Sequence, residues 1–73
     1  MPRKSKQMKL QQAALRRAAE ELGGIRMSLA AAYSCFNNTS DPELAEAYIY
    51  EINALRARYD HALRVIKQSA GFF

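Results

Sequence analysis

Apolar side chains recur every seven residues through the first half of the chain, at Met8, Leu15, Leu22, Leu29 and Phe36. After a polar gap the same spacing returns at Ala45, Ile52, Tyr59 and Ile66. A second series, Gln11, Ala18, Ile25 and Ala32, runs three positions behind the first. Two interleaved series of this kind form one apolar stripe on an α-helix, suited to pairing with another stripe. The residues of the first stretch are mostly Ala, Leu, Gln, Arg and Glu, which favour helix. The pattern predicts helices over about 6–36 and about 42–70 with a loop at 37–41. Residues 1–5 read as a disordered basic tail, and residues 6–73 as one helical-hairpin domain.

The stop between the helices is Asn37-Asn38-Thr39-Ser40-Asp41-Pro42. Asn and Ser side chains compete for backbone hydrogen bonds and favour turns. The second helix can begin with Asp41 as its cap and Pro42 in the first helical position, or with a Ser40–Glu43 capping box. Glu43 and Glu46 suit the positive end of the helix dipole. Gly71 suits a helix terminator, after which Phe72 can fold back on Ile66. Gly23-Gly24 is the weak point of the first helix, at about 2 kcal/mol relative to two alanines. The apolar phase survives it from Leu22 to Leu29, so one helix is expected, with the glycine pair as the place where it can bend.

A hairpin turning at the loop faces Phe36 with Ala45, Tyr33 with Tyr48, Leu29 with Ile52, Leu22 with Tyr59 and Leu15 with Ile66. Ile25 then meets Leu55, and Ala18 meets Ala62. Apolar faces apolar along the whole length. The expected fold is therefore all-α: an antiparallel, coiled-coil-like two-helix hairpin, which a second copy would complete as a four-helix bundle. Residues 1–10 would project beyond it, at the same end as Phe72 and Phe73.

At 73 residues the chain makes one domain at most, and its core is small. Cys35 is the single cysteine, so no disulfide can staple it from within. One thiol and a basic start with no apolar run behind it point to a reducing cytoplasm. Cys35 is expected as a small buried or half-buried filler. The longest uncharged stretch, Met27–Ser40, is 14 residues and rich in Ser, Asn and Thr, too short and polar to span a bilayer. The net charge of +4 is uneven. Arg3, Lys4, Lys6, Lys9, Arg16 and Arg17 precede any acidic residue, and the remainder is mildly acidic.

The string Phe36-Asn37-Asn38-Thr39-Ser40-Asp41-Pro42-Glu43-Leu44, followed by Tyr48-Ile49-Tyr50-Glu51-Ile52-Asn53-Ala54 and Arg58-Tyr59, resembles the YaaL-like family. These are small, largely uncharacterised proteins of Gram-positive, often spore-forming, bacteria. The likeness covers about residues 22–68. It implies no activity, ligand or cofactor, and it leaves the basic front outside. Asp60-His61-Ala62-Leu63-Arg64 stands where the family pattern is richer in leucine. Physically the string reads as structural: Asp41-Pro42 caps, Ile49 and Ile52 pack, and Tyr59 fills the seam.

Catalysis is not expected. Acid–base or nucleophilic chemistry needs a cleft that excludes water, which a hairpin does not provide. The single histidine, His61, falls on the outer side of its helix, and Asp60 and Arg64 form no relay with it. No Cys, His or carboxylate group has metal-ligand spacing, and no cofactor or small-molecule substrate is expected. The outer faces are less ordinary. Gly23, Gly24, Met27, Ala30, Ala31 and Ser34 lie opposite the stripe on helix one, and Tyr50, Ala54 and Ala57 on helix two. A solvated face should carry charge, whereas small residues and tyrosine suit contact. These positions are the candidate homodimer face, the alternative being that the alanines are present as helix formers. Arg26 and Arg56 fall on one flank, where they repel or take a carboxylate or phosphate from elsewhere. Glu21 and Arg58 can attract on the other flank. The function expected is a non-enzymatic helical interaction or scaffold protein that pairs with itself or another protein. The alternative is sequence-nonspecific nucleic-acid binding through the six basic residues of the front. Their neighbourhood to Phe72 and Phe73 also suits an anionic membrane surface.

Overall fold

The computed structural model describes residues 6–70, with side-chain surroundings for residues 9–68. Helix α1 is Lys6–Asn38 and helix α2 is Pro42–Ala70. They fold back on each other as an all-α antiparallel hairpin. Helix α1 passes through Gly23-Gly24 without interruption. It also runs two residues beyond the expected end. The Thr39 N–H donates to the Cys35 carbonyl at 3.0 Å, and the Asn38 side-chain amide donates to Ser34 Oγ at 3.5 Å. These bonds use the turn-forming residues to finish α1 rather than to stop it earlier.

The restart has one solution. Asp41 Oδ1 accepts from the Glu43 N–H at 2.9 Å, and the Asp41 carbonyl accepts from the Ala45 N–H at 2.9 Å. Asp41 is thus the N-cap, and Pro42 takes the first helical position, where its missing N–H leaves no bond unmade. Ser40 does not cap. Thr39 Oγ1 accepts from the Asp41 N–H at 3.2 Å and fixes the approach to the cap.

The core is the line between the helices. Ala18, Ile25, Ala32, Ile52, Leu55 and Ala62 are buried. Leu22, Leu29, Phe36 and Tyr59 are half-buried against them. Ile25 with Leu55, Leu29 with Ile52 and Leu22 with Tyr59, paired in the sequence, thus share one cluster, but the burial differs from the expectation. The seven-residue series Leu15, Leu22, Leu29 and Phe36 is only half covered, while Ala18, Ile25 and Ala32 of the partner series are sealed and its Gln11 is exposed. Small side chains at the centre allow two helices to approach closely, and the larger ones then lie along the margins of the seam. Two helices cannot cover both series, because each has one neighbour.

The molecule is one helix thick. Its extents are 63 × 19 × 14 Å, and its radius of gyration is 17.1 Å, against about 11 Å for a globular chain of this length. No helix of the described residues is long and apolar enough to cross a membrane. Substitution Ala62→Leu, at a side chain 1% exposed, should overpack the seam and cost about 1–3 kcal/mol. Thermal unfolding followed by circular dichroism should then fall by at least about 4 °C. Ala47→Leu, on the exposed side of the same helix, should leave the transition within about 0.5 kcal/mol of the parent.

Candidate functional site

The hairpin has two broad sides and two outer edges. On the first side, Leu29, Tyr33, Arg56, Tyr59 and Asp60 line a shallow open depression. Arg26 belongs to this side. Its guanidinium lies 5.9 Å from the centre of the Tyr59 ring, and a terminal nitrogen donates to the Tyr59 hydroxyl at 3.4 Å. That cation–π contact contributes about 0.5–1 kcal/mol at an exposed site, and the long hydrogen bond adds little. Arg26 and Arg56 thus share one flank, divided by Tyr59, and Asp60 supplies a nearby carboxylate.

Tyr33 follows Arg26 by two helical turns, and Ile49 precedes Arg56 by two turns, so both extend this flank toward the loop. They are 44% and 45% exposed. Two sequence expectations change here. Ile49 does not pack into the seam; it stands on the flank, and Ile52 takes the buried place. Tyr33 does not face Tyr48, because Tyr33 turns to the Arg56 side while Tyr48 lies against Cys35. The sign that could have found the flank is the two-turn spacing from Arg26 to Tyr33 and from Ile49 to Arg56.

On the second side, Ala14, Arg17, Ala18, Glu21, His61, Ala62 and Val65 line another shallow depression. His61 is exposed there beside Arg17 and Glu21. Cys35 is exposed rather than buried, because its position at the rim of the seam leaves Tyr48 to cover the gap. The Cys35 thiol, followed by slight desolvation and the negative charge of Glu51, raises the Tyr48 phenol above the usual tyrosine range. A raised phenol favours the folded hairpin below the ordinary tyrosine pKa, and that support is lost as pH rises through the raised value. Among the described residues no group of three or more metal-ligating side chains comes together.

The eight candidate contact residues are divided by this geometry. Gly23 and Ala30 adjoin Arg26 and Tyr33 on the first side. Gly24, Ala31 and Ala54 fall with Arg17 and His61 on the second, two turns apart from one another or from those residues. Met27, Tyr50 and Ala57 lie on the outer edges. Met27 is 76% exposed and Tyr50 67%, the latter with its hydroxyl on Glu46 Oε1 at 3.3 Å. A Cβ added at Gly23 or Gly24 would meet nothing within 4 Å, so the chain's own packing does not require either glycine. Lys9, Arg16 and Arg17 are exposed at the open end of the hairpin. Arg3, Lys4, the side chain of Lys6, Gly71, Phe72 and Phe73 lie outside the described residues, as does the proposed disorder of residues 1–5.

Comparison of the chain with protein-family models, characterised proteins and solved structures finds no match. The resemblance to the YaaL-like family stands on the residues quoted for it alone.

Gly23→Ala and Gly24→Ala should each stabilise α1 by about 1 kcal/mol in dilute solution. Thermal unfolding at low micromolar concentration reads this as a rise of about 4–8 °C. A fall would show that each glycine is needed within the single chain.

Proposed function

We propose that this protein is a non-enzymatic helical interaction module, a scaffold of the bacterial cytoplasm, that works by laying one broad side against a second copy of itself. The observation that carries this reading is the missing layer. Stable domains stack at least two layers of secondary structure around a core, and this hairpin is a single layer 14 Å thick. An 8.3 kDa globular chain exposes about 4,600 Å², while this one exposes 6009 Å². The excess is roughly 1,400 Å², enough for the 800 Å² or so that each partner contributes to a standard interface. Part of that excess comes from the elongated shape, which is itself what a second layer would shorten in cross-section.

The first side supplies the contact. Tyr33 and Ile49 stand half-exposed toward its loop end, Gly23 and Ala30 admit a close neighbour, and Met27 and Tyr50 rim it. Tyrosine and methionine are enriched where proteins meet.

Sedimentation at micromolar concentration should give twice the mass of the 8.3 kDa chain. Ile49→Lys should shift it to the single chain, because a charge placed within an apolar contact costs binding about tenfold or more. Ala54→Lys, on the reverse side, should leave the dimer intact. A parent protein that sediments as one chain throughout overturns the reading.

The second reading is nucleic-acid binding at the open end, favoured by the exposed Lys9, Arg16 and Arg17 with Arg64 and Lys67 from α2. Contacts to three phosphates would weaken duplex binding about fortyfold between 50 and 200 mM salt. Affinity that ignores salt, or that survives Arg16→Glu with Arg17→Glu, contradicts it.

A further inference from the structure

Folding converts a mixed charge pattern into two poles. Residues 27–55, the loop half of both helices, contain Asp41, Glu43, Glu46 and Glu51 and no lysine or arginine, a net charge of −4. Residues 9–26 and 56–68, the open half, contain eight basic and three acidic side chains, a net charge of +5. Every one of these charged side chains is exposed. The two helix dipoles run in opposite directions and cancel, so the lengthwise polarity belongs to the side chains. Along a rod of 63 Å the poles lie far apart compared with the screening length of about 8 Å at physiological salt. They do not neutralise each other within one chain.

A neighbour placed side by side feels them directly. In a parallel pair the +5 halves adjoin, and so do the −4 halves. In an antiparallel pair each loop half lies along an open half, and attraction replaces repulsion at both ends. End-to-end stacking would also join opposite poles, but the 19 × 14 Å cross-section offers about 270 Å², well short of the 800 Å² or so per partner of a stable interface. A broad side, 63 × 19 Å, exceeds that area.

We propose that the second copy lies antiparallel along the Tyr33–Ile49 side, loop end over open end, about a two-fold axis crossing the middle of the rod. This rests on the self-association proposed above and adds its orientation. A two-fold axis closes the assembly at two chains and leaves no free pole to recruit a third. The poles also set the salt response, since exposed pairs are individually weak and act here in number.

Cys35 is the one cysteine of the chain and is exposed near the loop, so a nitroxide attached to it reports the orientation. It lies 13 residues from the middle of Lys6–Asn38, about 20 Å at 1.5 Å per residue. Dipolar spectroscopy on the labelled full chain, with its mass taken by sedimentation in the same buffer, should show two chains with labels about 40 Å apart. Neutralising the loop pole by Glu46→Lys with Glu51→Lys, which takes it from −4 to 0, should weaken association by about tenfold at low salt. A dimer with labels within about 20 Å, or open-ended growth, overturns the antiparallel orientation while leaving self-association standing. A single chain at every concentration overturns both.

Discussion

Close approach along one line of small side chains is what the rest of this structure depends on. Ala18, Ala32 and Ala62 are buried beside Ile25, Ile52 and Leu55. With alanine at these positions the helices can come near enough for the isoleucines and the leucine to interdigitate, and that contact fixes the register. Register then determines which residues sit at the rim. Leu22, Leu29 and Tyr59 border the seam, Arg26 reaches the Tyr59 hydroxyl across it, and Cys35 is left outside. A shift of one residue would turn the alanines away from the line and place larger side chains between the helices.

The same constraint leaves the side proposed above for contact open. A line of contact covers one stripe per helix, so the leucine series remains half open and Tyr33 and Ile49 stand exposed on a flank. The hairpin thereby presents an apolar side, a shallow arginine–tyrosine depression and a pair of electrostatic poles, all placed by one turn at Thr39–Asp41. None of these is a cleft that excludes water from reacting groups. What they offer is area, shape and charge order along a rod, the properties a neighbouring rod can recognise.

Much of this was legible in the sequence, for physical reasons. Periodicity survives any tertiary detail, so the two helices, the central pairs such as Ile25 with Leu55 and the passage through Gly23-Gly24 could be read in advance. The Asp41-Pro42 cap could be read as one of two options, because both Ser40 and Asp41 carry a suitable oxygen; only the backbone geometry selects Asp41. Rim positions were harder. Ile49 and Cys35 are apolar enough to suggest burial, but their exposure depends on how far the seam extends sideways, which periodicity does not state. The candidate contact residues share only their place opposite the stripe, and the hairpin divides them between two sides and two edges. The charge poles were present in the order of residues, but acidic positions in the middle of a chain become an end only after the chain doubles back.

The central claim is that one seam leaves a second contact to be made, so that folding and pairing support each other. Thermal unfolding of the parent chain from one micromolar to one millimolar tests it most directly. If pairing contributes to stability, the midpoint rises by about 5 °C for each tenfold increase in concentration. A cooperative transition whose midpoint is the same across that range would show a hairpin complete in itself, and would contradict the claim.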